Sequence, residues 1–308
     1  MLASISDRAN IRVGNDTDAL SEHAPEADVI VYSDLAGHTV DFREVWHHTR
    51  QVRWVHTLSA GVEKLLVPEL IESNAVLTNA RGVFKRSLAE FAILGVLFHY
   101  KRVRRLIENQ RAHRWDDFKV EWMLDRVMAV VGYGEIGREC AHLAHALGMK
   151  IHAVRRRPEL SKDDSILERA FRPEQLHEML RGADVVVAAA PLTPDTRHML
   201  GQPEFTVMKP SAIVINVGRG PVIDQAALVS ALEQGKIAGA SLDVFEQEPL
   251  PPDHPLWDMD NVLISPHCTD RTEDPDWLEL SMEVFLDNFE RYIKGEPLLN
   301  IVDKKAGY

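Results

Sequence analysis

The stretch RVMAVVGYGEIGRECAHLAHALGMKIHAV, residues 126–154, decides the fold of this chain. It opens with a short apolar run, passes through three glycines spaced G-x-G-x-x-G, and continues with the periodicity of an amphipathic helix and a second apolar run. A strand that turns through such glycines into a helix is typical of a dinucleotide-binding unit. We therefore predict a strand, a tight turn, a helix and a second, parallel strand.

The three glycines have separate predicted roles. Gly132 permits the tight turn, Gly134 lets a pyrophosphate approach the backbone, and Gly137 lets the helix pack closely on its strand. The helix N-terminus then faces the phosphate charge. A ligand-free turn is the alternative interpretation. The residues predicted to form the cofactor-binding turn are Gly132, Tyr133, Gly134, Glu135, Ile136 and Gly137.

The end of the second strand indicates which cofactor is bound. An NAD-specific enzyme usually carries Asp or Glu about twenty residues after the turn, where it binds the ribose 2′-hydroxyl. This chain has Arg155, Arg156 and Arg157 there. Because guanidinium groups pair with a 2′-phosphate, the sequence favours NADP(H), with NAD(H) as the other option. A solvated loop is the alternative interpretation of the arginines.

The rest of the chain alternates short apolar runs with helical patterns, which is typical of parallel α/β units. A long amphipathic helix is predicted over residues 87–113 and another over 277–295. The opening residues 1–10 are polar, so a first strand there is expected to be missing or displaced. Further strands are predicted over residues 27–33, 52–58, 75–79, 183–190, 212–218, 238–245 and 261–267.

These patterns predict an α/β chain of two domains with parallel sheets. A length of 308 residues is long for a single core. We expect residues 95–274 to form the NAD(P)-binding Rossmann domain. Residues 1–94 with 275–308 are expected to form the second domain.

The net charge of the chain bears on its possible partners. A formal net charge of −12 disfavours nucleic acid, because phosphate binding needs clustered basic residues. One basic run is present, and it is interpreted as a solvated face or a subunit contact rather than a polyanion site. It comprises Lys101, Arg102, Arg104, Arg105, Arg111 and Arg114.

The sequence also bears on location and on metals. It has no apolar run approaching the ~18 residues of a membrane span and no secretory signal pattern. The two cysteines, Cys140 and Cys268, form no paired framework, which fits a reducing cytoplasm. His142 and His145 lack a third ligand at suitable spacing, so no metal site is predicted.

Ordered motifs connect the chain to a known family. They are SAGVE at 59–63, GYGEIG at 132–137, PLTPDTR at 191–197, NVGRGPVID at 216–224, LDVFEQEPL at 242–250, SPH at 265–267 and NIVDKKAGY at 300–308. The set resembles the D-isomer-specific 2-hydroxyacid dehydrogenases, nearer their glyoxylate/hydroxypyruvate reductase-like members. The resemblance implies hydride transfer between NAD(P)H and a small 2-keto acid, giving the D-2-hydroxy acid. It also implies two Rossmann-like or flavodoxin-like domains with an active-site cleft between them, of which residues 1–94 with 275–308 would be the substrate, or catalytic, domain.

The resemblance also implies three catalytic residues whose chemistry suits that reaction. Arg219 lies between two glycines just past a strand, and its guanidinium can hold the substrate carboxylate and polarise the ketone. His267 ends the last strand and is the natural proton donor. Glu248 orients the imidazole and favours its protonated form. Each residue taken alone has a structural interpretation, whereas the ordered set favours the functional one.

Glu248 separates this chain from one branch of the family. Formate dehydrogenases oxidise a substrate that releases no proton, and they carry an amide residue in place of this glutamate. Two other functions stay open. Dinucleotide-sensing co-repressors keep the fold and the acid/base residues, and phosphite-oxidising enzymes keep the same Arg, Glu and His. The sequence leaves the preferred keto acid and the direction open.

Further contacts follow from the resemblance. Backbone amides of a substrate-domain loop are expected to bind the substrate carboxylate, and Asp243 is expected to contact the nicotinamide carboxamide. Family members typically dimerise through the cofactor domain, which implies a homodimer with the arm near 100–125 as its interface. The substrate loop comprises Ser59, Ala60, Gly61 and Val62, and the other cofactor-side residues are Pro191, Thr196 and Val217.

The chain departs from the family just after SPH. Many members have small apolar residues there, whereas this chain has Cys268, Thr269, Asp270 and Arg271. Because this segment borders the predicted active site, we expect it to affect substrate choice. Cys268 is interpreted as a small filler rather than a redox-sensitive thiol.

Overall fold

The computed structural model of the chain describes residues 1–14, 16–33 and 40–308. Its contacts divide into two units. We call Met1–Val83 with Arg271–Tyr308 the smaller unit, and Phe84–Asp270 the larger unit. The smaller unit is therefore assembled from two stretches that are distant in the sequence.

The smaller unit contains a three-stranded parallel sheet with helices. The polar opening residues form a 3-10 helix, Leu2–Ile5, and among described residues 1–14 and 16–28 no strand is present. This agrees with the missing first strand expected from the polar pattern. The strands, in their order across the sheet, are β1 (Val29–Tyr32), β2 (Trp54–Thr57) and β3 (Val76–Asn79), and the helices before Val83 are α1 (Thr17–His23), α2 (Phe42–His48) and α3 (Pro68–Glu72).

The C-terminal stretch completes the core of this unit. Trp54 in β2 is fully buried, and its ring stacks on Phe285 with centroids 5.4 Å apart. Phe285 belongs to the last helix of the chain, Trp277–Lys294, which agrees with the helix predicted over 277–295. The N–H of Val302 donates to the carbonyl of Leu77 in β3 (2.9 Å). The C-terminal stretch therefore contributes to two apolar clusters of this unit, with Phe285 in one and Val302 in the other.

The larger unit is built on seven strands and six helices. The strands are β4 (Val127–Val131), β5 (Lys150–Val154), β6 (Leu167–Phe171), β7 (Val185–Ala188), β8 (Ile213–Asn216), β9 (Gly239–Leu242) and β10 (Val262–Ile264). The helices are α4 (Lys85–Tyr100), α5 (Val103–Arg111), α6 (Glu135–Ala146), α7 (Leu176–Gly182), α8 (Gln202–Val207) and α9 (Gln225–Glu233), so the last helix of the chain is α10.

All seven strands of the larger unit are parallel, in the order β10-β9-β8-β7-β4-β5-β6. Strands β7 and β8 are buried at every position because the sheet is covered on both faces. The order reverses between β4 and β7. Parallel sheets of this kind bind ligands at the carboxyl ends of the strands beside such a reversal.

Two features of the larger unit differ from the sequence prediction. The single helix predicted over 87–113 is wrong, because Arg102 adopts a left-handed conformation (φ 52°) and separates α4 from α5. After this break, Arg104 Nη2 donates to the carbonyl of Val262 in β10 (2.8 Å). Strand β6 was not predicted, since its sequence LERAF is interrupted by the charged Glu168 and Arg169 and it lies at the sheet edge.

The units divide at 83/84 and 270/271, whereas the sequence places the boundaries at 94/95 and 274/275. Helix α4 accounts for the first difference, because it packs on α6, β8 and β9 of the larger unit. None of the described helices is both long and apolar enough to cross a membrane.

Candidate active site

The carboxyl ends of β9 and β10 bring two predicted catalytic residues together. Glu248 lies on the loop after β9, and His267 follows β10. The imidazole Nδ1 is 2.6 Å from Glu248 Oε2. The second carboxylate oxygen, Oε1, accepts the backbone N–H of Phe245 (2.9 Å), which fixes the carboxylate. The two side chains are 40% and 36% exposed, so the imidazole is held in place and also accessible.

The contact between Glu248 and His267 changes both pKa values. The hydrogen bond to Glu248 raises the pKa of His267, against opposing effects of burial and of the Arg219 cation. For Glu248, burial acts to raise the pKa, but the bonds from His267 and from the Phe245 N–H outweigh it and leave the pKa below its ordinary value. The pair therefore favours an imidazolium beside a carboxylate.

The backbone around His267 is held by Asp243. His267 has a left-handed conformation (φ 50°), which is costly for a residue with a side chain. Its N–H donates to the Asp243 carbonyl (2.9 Å). The N–H groups of Cys268 and Thr269 donate to Asp243 Oδ1 at 3.2 and 3.3 Å. Asp243 thus anchors the segment that carries the histidine, a role that the sequence reasoning missed.

Arg219 lies on a short loop after β8 that touches the loop of Glu248. Asn216 ties this loop together, since its Nδ2 donates to the Arg219 carbonyl (3.1 Å) and its Oδ1 accepts the Gly218 N–H (3.1 Å). A Cβ at Gly220 would lie 1.8 Å from the carbonyl oxygen of Phe245. Only glycine permits this approach, which places Arg219 close enough to affect the pKa values of both His267 and Glu248.

The glycine turn lies between β4 and α6, as predicted. Gly132 has φ 95°, and a Cβ there would lie 2.6 Å from the backbone of Ala190. A Cβ at Gly137 would lie 2.2 Å from the Gly132 carbonyl oxygen. A Cβ at Gly134, in contrast, would meet nothing within 4 Å. Packing therefore requires Gly132 and Gly137, whereas Gly134 borders open space.

The residues present fit a nicotinamide dinucleotide. Gly134 is the N-cap of the 12-residue helix α6 and supplies no side-chain cap, so the N-terminal amides of the helix can bind phosphate. Asp243 is fully buried, and within the described residues its Oδ2 has no hydrogen-bond partner. Since a buried unpaired oxygen is costly, a carboxamide donor would satisfy it.

The arginines at the end of β5 differ in their surroundings. Arg155 is half-buried, and its Nη1 donates to the hydroxyl of Ser161 (2.5 Å). Arg156 and Arg157 are exposed. The ring of Tyr133 in the glycine turn is buried, and its hydroxyl donates to Asp164 Oδ2 (3.1 Å).

Other predicted cofactor-side residues lie near the ends of β7 and β8. The Thr196 hydroxyl donates to the Pro191 carbonyl (2.6 Å) and accepts the N–H of Thr193 (2.8 Å), so it holds its own loop in shape. Val217 is buried. Pro191 is exposed at the start of this loop.

The predicted substrate loop follows β2 in the smaller unit. Asn79 Nδ2 donates to the Ala60 carbonyl (2.6 Å), and the Ser59 N–H donates to the Thr57 hydroxyl (3.3 Å). Across the described residues, the N–H groups of Ala60 and Gly61 donate to no acceptor. Two backbone donors of this loop are therefore available for an anion.

Two further features named in the sequence have local contacts. Cys268 is exposed with a free thiol, and its Sγ lies 3.5 Å from the Ser265 hydroxyl. The basic run forms bonds within the chain, since Lys101 Nζ donates to the Glu121 carbonyl (2.5 Å) and Arg105 Nη2 contacts Asp116 Oδ2 (2.7 Å). These contacts support a structural role for the run.

Comparison with known proteins gives consistent matches. Residues 93–269 match the family model of the D-isomer specific 2-hydroxyacid dehydrogenase, NAD binding domain. Glyoxylate reductase of Korarchaeum cryptofilum is 33% identical over 272 residues, which are 85% of this chain and 80% of that protein. Glyoxylate/hydroxypyruvate reductase B of Salmonella newport is 34% identical over 264 residues, 83% of this chain and 79% of that protein.

A solved structure extends the match across both units. It is the NADPH-dependent glyoxylate/hydroxypyruvate reductase of Sinorhizobium meliloti in complex with NADP and sulfate. Its TM-score is 0.80 at 28% identity, and the match covers 93% of this chain and 88% of that one.

Proposed function

The chain belongs to the D-isomer-specific 2-hydroxyacid dehydrogenase family, and we propose that it reduces a small 2-keto acid, such as glyoxylate or hydroxypyruvate, to the D-2-hydroxy acid with NADPH. The observation that carries the proposal is the 2.6 Å contact between His267 Nδ1 and Glu248 Oε2 at the carboxyl edge of the cofactor-binding sheet. The relatives named above support the substrate class.

In this proposal His267 is the proton donor. A reduced nicotinamide, when bound, would supply the hydride for C2 of the keto acid. Glu248 Oε2 accepts a hydrogen bond from the Nδ1–H of His267. The Nε2–H of the imidazolium is then the proton that His267 donates to the substrate oxygen as the alkoxide forms. His267 is then neutral, and its exposed fraction of 40% lets it regain a proton from water.

Arg219 is assigned to the substrate carboxylate. Its guanidinium offers paired N–H donors that match a carboxylate and can also polarise the ketone. In the smaller unit, the available N–H groups of Ala60 and Gly61 make the Ser59–Val62 loop a candidate anion site. We propose that the exposed residues after His267, including Cys268, limit the size of the substrate that the site accepts.

Preference for NADPH rests on charge at the end of β5. Three consecutive arginines follow this strand, and no carboxylate stands among them to repel a 2′-phosphate. The exposed Arg156 and Arg157 are the candidates for the direct contact, whereas Arg155 is half-buried. The Sinorhizobium meliloti relative is described as NADPH-dependent, which supports the same choice.

Steady-state oxidation of NADPH and NADH, measured in parallel with glyoxylate and hydroxypyruvate, tests the proposal. We expect turnover with NADPH preferred at least about tenfold, which corresponds to about 1.4 kcal/mol. Turnover with NADH preferred would retain the reaction and overturn the cofactor preference. Loss of both activities, with NAD reduction by phosphite instead, would overturn the reaction.

We also assign the arm near 100–125 to a homodimer interface. Its residues 112–125 form neither helix nor strand, and within them Trp115 is fully exposed and Trp122 is 68% exposed. Arg105 holds it through Asp116, so the two large apolar surfaces are presented on a fixed segment. Light scattering should give twice the subunit mass, and W115D/W122D should give a single subunit.

A reducing compartment such as the cytoplasm suits the thiols. Both cysteines are free, with Cys140 buried and Cys268 exposed. Burial raises the pKa of Cys140 to about 12, so its thiol is inert, and Cys268 alone would react in an oxidising environment.

A further inference from the structure

A buried tyrosine in the glycine turn is bonded to the segment that follows the arginines. We call residues 155–166 the arginine loop. The Tyr133 hydroxyl donates to Asp164 Oδ2 in this loop (3.1 Å), and Arg138 Nε in α6 lies 3.6 Å from the same oxygen. The side chain of Asp164 is only 11% exposed. One carboxylate therefore links the turn, the helix and the loop.

Asp164 also organises the arginine loop internally. Its Oδ1 accepts the N–H of Ile166 (3.4 Å), and its own N–H donates to the Ser161 carbonyl (3.2 Å). The Ser161 hydroxyl in turn accepts a hydrogen bond from Arg155 Nη1 (2.5 Å). A chain of bonds thus runs from the Tyr133 hydroxyl through Asp164 and Ser161 to the first of the three arginines.

The tyrosine hydroxyl has a defined part in this chain. Tyr133 is 3% exposed, and a buried hydroxyl without a partner is costly. Burial and the Asp164 carboxylate raise the pKa of Tyr133, so the phenol keeps its proton and is the donor in this bond. A phenylalanine would fill the same space without reaching Asp164. The hydroxyl is therefore not needed to pack the turn.

We propose that Tyr133 and Asp164 are positioning residues for recognition of the cofactor's 2′-phosphate, because they hold the arginine loop against the glycine turn. This inference rests on the proposed NADPH preference and deepens it. Discrimination between a 2′-phosphate and a 2′-hydroxyl then depends on the loop's shape as well as on its charges. Removing the Tyr133 hydroxyl or the Asp164 carboxylate keeps all three arginines in the sequence but removes hydrogen bonds that hold their loop in position.

Calorimetric binding of adenosine 2′,5′-bisphosphate and of AMP to the full chain tests the inference without catalysis. Tyr133→Phe should weaken binding of the bisphosphate about fivefold, the factor that corresponds to one hydrogen bond of about 1 kcal/mol. Asp164→Ala, which also removes the contacts to Arg138 and to the Ile166 N–H, should weaken it at least as much. AMP binding should stay unchanged. The double variant should bind like Asp164→Ala, since both changes break one chain of bonds. The matched control is Tyr32→Phe, which removes the hydrogen bond from a tyrosine hydroxyl to the Val40 carbonyl in the smaller unit. This substitution should change the binding of neither ligand.

Different results separate the inference from the function on which it rests. If the unaltered chain binds both ligands equally, the NADPH preference and the inference fail together. If it prefers the bisphosphate and folded variants keep that preference, only the inference fails. Equal weakening of both ligands would show a general loss of structure and would also overturn it. Should Tyr133→Phe not fold, as judged by thermal melting, Asp164→Asn supplies the decisive comparison.

Discussion

Replacing Glu248 by glutamine tests the proposed acid/base pair most directly. The amide oxygen can still accept the His267 Nδ1–H, so the ring keeps its orientation, but the negative charge is lost. In the unaltered protein, the hydrogen bond to the Glu248 carboxylate is the largest effect that raises the pKa of His267. Removing the charge should therefore lower this pKa. Reduction needs the imidazolium, so activity should decline at lower pH in the variant than in the unaltered enzyme.

The size of the shift follows from the geometry of the pair. A hydrogen bond to a charged group contributes about 1.5–3 kcal/mol. Because the two side chains are 40% and 36% exposed, solvent screening reduces the charge-dependent part to about 1 kcal/mol. One pKa unit corresponds to about 1.4 kcal/mol, so the descending limb of kcat/KM should move by roughly 0.7 pH unit toward lower pH.

The assay is NADPH oxidation with glyoxylate across a pH series, reported as the midpoint of the high-pH decline in kcat/KM. Glu246→Gln is the matched control, because Glu246 pairs with His198 (2.7 Å) and not with His267. Its midpoint should not move. A midpoint that stays fixed in Glu248→Gln, or that moves to higher pH, would refute the assignment of Glu248 as the group that favours protonated His267.

Three further substitutions test separate parts of the site. Arg219→Lys removes the guanidinium fork, and the loss of about 2 kcal/mol should lower kcat/KM for glyoxylate roughly thirtyfold in the steady-state assay. Gly220→Ala should lower Tm by about 6–12 °C, because a Cβ 1.8 Å from the Phe245 carbonyl costs about 3 kcal/mol; an unchanged melting curve would contradict this. Gly134→Val should leave Tm unchanged and weaken NADPH binding in a fluorescence titration, since the side chain would fill open space beside α6.

The sequence predicts those elements whose pattern is local. Strand β7 is a continuous apolar run and β8 is apolar as far as Asn216, because both are covered on both faces, and the glycine turn is recognisable between β4 and α6. Strand β6 has no such pattern, since an edge strand with two exposed positions can be polar. The break at Arg102 was equally unreadable, because no glycine or proline marks it.

The candidate site shows the same division. Residue types and their order predicted Arg219, Glu248 and His267, and the structure brings the last two into contact. Asp243 was predicted as a nicotinamide contact, but it also accepts hydrogen bonds from the N–H groups of Cys268 and Thr269. This second role depends on backbone geometry that no residue pattern contains. The bond from Tyr133 to Asp164 joins two loops across β5 and was likewise invisible in the sequence.

The divided smaller unit has a consequence for biosynthesis. The ring of Trp54 is shielded by Phe285 and Tyr292, which leave the ribosome much later. The separation of roughly 230 residues corresponds to roughly ten to fifty seconds at ordinary elongation rates of about 5–20 residues per second. Residues 84–270 can fold during that interval, while the first three strands wait with an apolar face uncovered. Nascent chains stalled before residue 277 should therefore bind a holding chaperone through their N-terminal segment and release it once α10 emerges.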